Sequence, residues 1–163
     1  MCLNKITTMN LSHNRALYDE LFIQVARMHD EVAYRWHQNN YHGRRGKWKD
    51  FPAVSVGAEI DGATGVGHHR DYSNEKDFHP LISQELSERL GELNEQSASN
   101  PACQNRVGHC AENYAASSAL KRIDPQGNIQ DDHVLGEIAF TKAFQPRTWK
   151  NREWCANCRT MFD

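Results

Sequence analysis

Apolar residues recur at steps of three and four along the first part of the chain. This spacing places them on one face of an α-helix and leaves polar residues on the other face. The residues on the apolar face are Leu17, Leu21, Val25, Met28 and Val32. We therefore predict an amphipathic helix over residues 12–38, with its apolar face packed against a core.

A different pattern follows, in which small and β-prone residues lead into a turn. The segment 53–60 favours a strand, and Asp61-Gly62 directly after it is a strong signal for a two-residue hairpin turn. The residues beyond the turn are suited to a second strand. We predict a β-hairpin over residues 53–68.

The second half of the chain contains further helical and extended patterns. Apolar residues at helical spacing predict a helix over 79–97, and an alanine-rich run predicts a buried helix within 109–122. The segment 134–141 is typical of a strand, and 142–154 is typical of a loop. Helices alternating with strands indicate an α/β fold.

Length and charge limit the classes of protein that the chain can belong to. Its 163 residues predict a single domain, 1–163. With 19 Lys and Arg against 21 Asp and Glu, any binding of nucleic acid requires a local basic patch. The sequence has no membrane-length apolar run, and residues 1–10 lack signal-peptide features, so we expect a soluble chain without a membrane partner.

Three of the five cysteines fall in two short motifs. Cys155 and Cys158 have the spacing with which two thiolates reach one metal ion, and Cys110 supplies a third from a distant segment. Glu112 is too near Cys110 in sequence to chelate comfortably, so it is available as a general base and acid. A catalytic zinc keeps three protein ligands and one open position. The pattern predicts a hydrolytic zinc centre, and the odd number of cysteines favours a reducing compartment.

Both motifs resemble the cytidine deaminase fold. The matching stretches are His-Cys-Ala-Glu-Asn-Tyr-Ala-Ala from His109 and Trp-Cys-Ala-Asn-Cys from Trp154. They are most similar to the deaminase domains at the ends of bacterial polymorphic toxins, including the YwqJ-like group. Val56-Gly57-Ala58 resembles the start of such domains. Trp154 stands where many deaminases have proline.

The resemblance implies a three-layer α-β-α sandwich, with the 79–97 helix inserted before the first metal motif. The metal motifs are then 109–122 and 154–163, and the C-terminus after Cys158 is short. We therefore expect the usual fourth and fifth strands to be missing or supplied by another segment.

The resemblance also implies an activity and partners. It favours hydrolytic deamination of cytosine in DNA or RNA, in which Glu112 moves protons beside a zinc ion. Adenine and guanine stay open as target bases, and deamination of free cytidine or deoxycytidine is the alternative enzyme. A toxin domain would be countered by an immunity protein, and would act in a cytoplasm, either where it is made or after delivery.

Basic and aromatic residues near the second motif are the candidates for holding substrate. These residues are Arg147, Lys150, Arg152 and Trp154. His109 is a further candidate for lining the pocket, and the family resemblance adds Val56. The segment 41–49 is also basic and aromatic, and is either a polymer contact or a solvated loop. For 68–70, which is rich in histidine, we favour an ordinary solvated strand end.

Several alternatives to a catalytic zinc stay open. A structural zinc would use Cys103 or His109 as its fourth ligand, and His109 also competes with Cys110 for a place on the metal. In a non-catalytic module of this kind, Glu112 would stabilise a helix N-terminus. The Cys155-Cys158 pair could alternatively be a redox dithiol.

Overall fold

The computed structural model describes residues 11–39 and 51–163. Within these residues the chain has four α-helices and a five-stranded antiparallel sheet, so the expectation of an α/β fold is confirmed. In chain order the elements are α1 Leu11–Asn39, β1 Ser55–Ile60, β2 Ala63–His68, α2 Pro80–Arg89, α3 Ala111–Ile123, β3 Ala139–Phe140, β4 Ala143–Phe144, β5 Asn151–Arg152 and α4 Ala156–Phe162. None of the described helices combines the length and apolar character needed to cross a membrane.

Strand β1 is the centre of the sheet. It pairs with β2 through a tight turn in which Asp61 and Gly62 have φ values of 48° and 79°, as a type I′ hairpin requires. On its other edge it pairs with β3 and then β4, and β5 pairs with β4. The predicted hairpin is therefore present, with its first strand beginning at Ser55.

Helices pack on both faces of the sheet. On one face, α3 lies against β2 so closely that a Cβ on Gly67 would be 2.1 Å from the Ala111 carbonyl oxygen. On the other face, Leu17 of α1 lies against Gly57 of β1. The alternation of β1 explains this arrangement, since Val56 is buried in the core on the α3 side.

The main core lies between the sheet and α3, and it extends to α2 and α4. It contains Leu86 of α2, Leu120 of α3 and Met161 of α4, all of them fully or almost fully buried. A smaller core joins Leu21 and Val25 of α1 to the sheet. The predicted apolar face of α1 therefore packs against the sheet.

Three segments differ from their predicted structure. Helix α2 ends at Arg89 and not near residue 97, because Gly91 takes a φ of 113° that a helix cannot continue through. The predicted strand 134–141 is mainly a 3-10 helix, Asp132–Glu137, followed by the short β3. The side chain of Asp131 accepts a hydrogen bond from the His133 N–H and caps that helix.

The predicted loop 142–154 supplies two strands to the sheet. Ala143 pairs with Arg152, and Phe144 pairs with Asn151 and with Ser55 of β1. The sheet therefore has five strands, and its additional strands come from the segment before the second metal motif. The basic segment 41–49 lies outside the described residues.

Candidate metal centre

The three predicted ligands lie at the starts of two helices. Cys110 is the N-cap of α3 and Cys155 is the N-cap of α4, both with extended backbone. Cys158 lies in the first turn of α4, so the two-residue spacing from Cys155 turns both sulfurs to the same side. Helix α3 is thirteen residues long, and its dipole favours negative charge at Cys110.

The sulfur atoms of these residues form a compact group, here called the cysteine cluster. Cys155 Sγ lies 3.3 Å from Cys110 Sγ and 3.6 Å from Cys158 Sγ. Three ligands placed about 2.3 Å from a tetrahedral zinc would be about 3.8 Å apart, so the cluster needs little expansion to hold one ion. The distances are far longer than a disulfide bond, and all three cysteines are free.

Glu112 points into the cysteine cluster. Its Oε2 accepts a hydrogen bond from Cys158 Sγ at 3.2 Å, and the residue is only 4% exposed. Burial raises the pKa of this carboxyl above its ordinary value. A raised pKa makes a carboxyl a better proton acceptor, which suits a group that must take up a proton and release it again.

The thiols of the cluster differ in acidity. Hydrogen bonds from Cys110 and Cys158 hold the pKa of Cys155 far below its ordinary value. The pKa values of Cys110 and Cys158 are raised well above theirs, first by hydrogen bonding to a neighbouring cysteine and then by burial. The three sulfurs lie close enough to share one another's hydrogen bonds, and a cation between them would stabilise their thiolate forms.

Three asparagines surround the second motif. The Asn105 side chain donates a hydrogen bond to Cys155 Sγ. Asn157, which is 2% exposed, donates to the Asn105 carbonyl oxygen at 2.8 Å and accepts from Asn100 Nδ2 at 3.1 Å. Contacts of this kind orient metal ligands and reduce the charge that a thiolate donates. No periodic pattern in the sequence marks them, and we did not predict them.

Arg89 fixes the other end of α4. Its guanidinium donates to the carbonyl oxygens of Thr160 and Met161, at 3.4 and 3.2 Å. It also pairs with Glu85 at 2.5 Å and Asp132 at 3.1 Å. The last turn of α4 is thereby tied to α2 and to the 3-10 helix.

The cysteine cluster reaches the surface through Cys155, which is half-buried, whereas the other two cysteines are buried. Cys155 and Ala156 form one wall of a depression of about 550 Å³, here called the cysteine-side depression. The loop 99–105 forms the opposite wall. Cys155 is thus the thiol of the cluster that lines this depression.

Neither predicted alternative ligand belongs to the cluster. Within the described residues, the donor group formed by the sulfurs contains only Cys110, Cys155 and Cys158. His109 is buried, and its Nε2 hydrogen-bonds to Asn94 Oδ1 at 3.0 Å. Cys103 lines the cysteine-side depression without joining the group. The geometry thus favours Cys110 over His109 as a ligand, and residues 11–39 and 51–163 offer no fourth sulfur or imidazole to the group.

The predicted substrate-binding residues differ in how far they are exposed to solvent. Val56 is 0% exposed inside the main core, and its contact with substrate stays a prediction from the family resemblance. Trp154 is half-buried and packs edge-on against Phe140. Lys150 and Arg152 are exposed in the β4–β5 hairpin.

Arg147 and Trp149 complete this hairpin. Arg147 is exposed. Trp149 is stacked on both His29 and Phe144, with ring planes within 5° of parallel in each case. The hairpin presents cations to solvent, and its tryptophan is 46% exposed while its ring stacks on two protein rings.

The chain matches no protein-family model, no curated protein and no solved structure. The resemblance to deaminases consequently depends on the two motifs themselves and on the site that they form.

Proposed function

We propose that this chain is a zinc-dependent hydrolase that deaminates cytosine bases in nucleic acid. The observation that carries the proposal is the position of Glu112, whose carboxylate lies 3.2 Å from Cys158 Sγ, one of the three sulfurs of the cysteine cluster. A purely structural thiolate site has no need of a buried carboxyl at this position. A hydrolytic site needs one that can move protons.

Cys110, Cys155 and Cys158 would hold the ion. The donor chemistry fits zinc, because thiolates are ligands that zinc accepts readily and the sulfur spacing is near that of a tetrahedral site. When bound, zinc supplies a Lewis acid that lowers the pKa of water at the open position. Asn105 adjusts the charge on Cys155 through its hydrogen bond.

Glu112 carries the proton transfers in this proposal. Its Oε2 takes a proton from the attacking water as the new C–O bond forms at C4 of cytosine, and delivers it to N3 of the ring. It then takes the remaining hydroxyl proton and passes it to the exocyclic nitrogen, so that the C4–N bond breaks and ammonia leaves. Water and cytosine are converted into uracil and ammonia, and Glu112 ends in its starting state.

The layer order supports the deaminase sandwich as the finer description of the fold. Helix α1 covers one face of the sheet, and α3 covers the other and presents Cys110 and Glu112 at its start. In this proposal α2 belongs to a segment inserted before the first metal motif.

A polymeric substrate is favoured by the exposed cations of the β4–β5 hairpin. Lys150 and Arg152 are three to five residues before Cys155 in sequence, where they can contact phosphates. The proposed toxin role, an immunity protein as partner and action in a cytoplasm follow from the resemblance to toxin deaminases.

The deciding experiment compares Glu112→Gln with the parent protein on cytidine, deoxycytidine, single- and double-stranded DNA, and RNA. We expect a loss of deamination on the order of a hundredfold to ten-thousandfold, with zinc content and Tm nearly unchanged. Glu92→Gln is the control, because Glu92 is exposed on another segment. A Glu112→Gln protein that works at the parental rate would refute the proposal.

A structural zinc site is the second candidate, and one distance favours it. Glu112 lies close enough to Cys158 Sγ to become a fourth ligand and close the site. In that case Glu112→Gln would lose zinc, and the parent protein would deaminate none of the substrates.

A further inference from the structure

A second depression lies beside the metal centre and is not used by the proposed chemistry. Its volume is about 530 Å³, and we call it the Tyr72 depression. Among the residues that line it are His69, Tyr72, Asn94, Arg106 and His109. Gln104 and Asn105 line both this depression and the cysteine-side depression. The two depressions therefore share two lining residues, of which Asn105 also lies beside Cys155.

The wall of the Tyr72 depression is held firmly. Asn94 exchanges two hydrogen bonds with the backbone of Ser73, at 2.8 and 3.0 Å, and its Oδ1 also meets His109 Nε2. The backbone N–H of Arg70 donates to the His109 carbonyl oxygen at 3.1 Å. His109 directly precedes Cys110, so this wall is continuous with the start of α3. Such a surface is formed before a ligand arrives.

Tyr72 presents its ring to solvent at the edge of this depression. The residue is 65% exposed, and in the part of the chain that the structure describes no aromatic ring packs against it. Exposed aromatic rings beside polar groups are the usual platforms on which proteins stack single-stranded bases.

The tryptophans near the metal motif differ from Tyr72 in their contacts. Trp149 is 46% exposed but its ring stacks on His29 and on Phe144, and Trp154 packs on Phe140. A base that stacked on either tryptophan would compete with these ring contacts. Among the described residues no aromatic ring competes for Tyr72.

We propose that the Tyr72 depression binds the nucleotide adjacent to the target base, with its base stacked on Tyr72 and its edge facing the groups of His69, His109 and Asn94. This inference rests on the proposed function, since it assumes a nucleic-acid strand that passes the cysteine cluster. It makes the substrate a single strand, because a base must leave its partner to stack on protein.

The charges of the depression determine how this site should respond to salt. Arg106 is opposed by the carboxylates of Asp71 and Glu95, and the Asp71 carboxylate lies 3.5 Å from His69 Nε2. With one arginine against two carboxylates, phosphate neutralisation contributes little here. Stacking on Tyr72 should therefore depend on salt much less than contacts made by Lys150 and Arg152 do.

The test uses labelled single-stranded pentanucleotides of DNA and RNA with one central cytosine, in a full-length Glu112→Gln background that does not consume them. Tyr72→Ala should weaken binding of the preferred strand about tenfold, at both low and high salt. Tyr72→Phe should bind like the background protein, because it keeps the ring. Tyr34→Ala is the matched control, since Tyr34 is equally exposed at 65% on α1.

The outcomes separate this inference from the proposed function. Equal affinity for the Tyr72→Ala and Tyr34→Ala proteins would overturn it, as would a chain that binds neither strand. If the parent protein deaminates cytidine in either of these cases, only the nucleotide site is rejected, and the proposed chemistry of Glu112 and the cysteine cluster is retained. A parent protein that deaminates nothing removes the proposed function, whereas a selective Tyr72→Ala loss would still establish the nucleotide site.

Discussion

Helices α3 and α4 each begin at a cysteine of the cluster, yet different contacts hold them in place. Helix α3 rests directly on the backbone of β2. Cβ atoms on Gly65 and Gly67 would come within 2.5 Å and 2.1 Å of helix backbone atoms, and Ala115 is part of both contacts. Only the absence of side chains on one strand allows this approach.

Helix α4 buries Met161 and Phe162 in the main core, and polar side chains bind it at its two ends. Arg89 binds carbonyl oxygens in its last turn, and Asn157 joins its first turn to Asn100 and Asn105. Close contact between the backbones of α3 and β2 leaves few alternatives for the position of α3, whereas each side-chain hydrogen bond at α4 contributes only a modest stabilisation. Cys110 and Glu112 are thus on the fixed part of the site, and Cys155 and Cys158 are on the adjustable part.

The largest effect is expected from adding one methyl group to β2 at the point where α3 packs on it. Gly67→Ala places a Cβ 2.1 Å from the Ala111 carbonyl oxygen and 2.3 Å from the Ala115 nitrogen, and neither backbone atom can move alone. We expect a loss of more than about 3 kcal/mol in the free energy of unfolding, measured by urea denaturation. Gly136→Ala is the control, because nothing lies within 4 Å of a Cβ there, and it should stay within about 0.5 kcal/mol of the parent. Similar stabilities for the two variants would show that α3 can shift on the sheet.

Removing the ligands on the adjustable side should abolish metal binding. The double substitution of Cys155 and Cys158 by serine leaves Cys110 as the remaining thiolate of the cluster, so zinc content should fall from about one ion per chain to near zero. Elemental analysis of the purified protein measures this. Cys103→Ser, which alters a cysteine outside the cluster, should keep its zinc. Retention of zinc by the double variant would disprove the assignment of ligands.

A smaller effect is expected when the metal ligands are kept and only the hydrogen bonds that position α4 are removed. Asn157→Ala removes the side-chain hydrogen bonds to Asn105 and Asn100. Zinc affinity should fall about tenfold to a hundredfold, measured by competition with a chromophoric chelator. Asn128→Ala is the control, since Asn128 is an exposed asparagine near another helix end. Parental affinity in Asn157→Ala would mean that α4 is positioned by packing alone.

The smallest effect concerns the far end of α3 and depends on pH. Asp124 accepts from the Ile129 N–H at 2.7 Å and pairs with His79 at 3.1 Å, and backbone hydrogen bonds lower the pKa of its carboxyl. Because this pKa is lower in the folded protein, the carboxylate stabilises the fold above the ordinary pKa of about 3.9, and the contribution is lost as pH falls further. Asp124→Asn should therefore lower Tm at pH 7, and the difference should shrink in Tm measurements below about pH 4. A difference that does not change with pH would argue against a role for the charge.

The sequence indicates the regular elements of this fold better than its irregular ones. Period and turn chemistry predicted α1, the β1–β2 hairpin and α3, because each buries its apolar residues by its own repeat. The segment 134–141 was mistaken for a strand. Its apolar residues do enter the core, but capping by Asp131 turns the chain into a 3-10 helix first. A local hydrogen bond of this kind is decided by tertiary placement and leaves no periodic signal.

The same distinction applies to the site. Cys110, Glu112, Cys155 and Cys158 were predictable, since metal chemistry restricts both residue type and spacing. Asn105, by contrast, lies in an irregular segment, and its role depends on a fold that brings it to Cys155. The spacing of residues along the sequence does not predict polar contacts between irregular segments.

The separation of the predicted metal ligands along the chain affects how the protein would unfold. Cys110 and Cys155 are 45 residues apart, and α4 has only seven residues. Without an ion, local opening of α4 is opposed by the core packing of Met161 and Phe162 and by the hydrogen bonds at its two ends, none of which is a covalent or metal link. An ion shared by both helices makes that opening impossible unless a metal–sulfur bond breaks. Metal occupancy would then decide whether the last helix unfolds locally or only together with the whole domain.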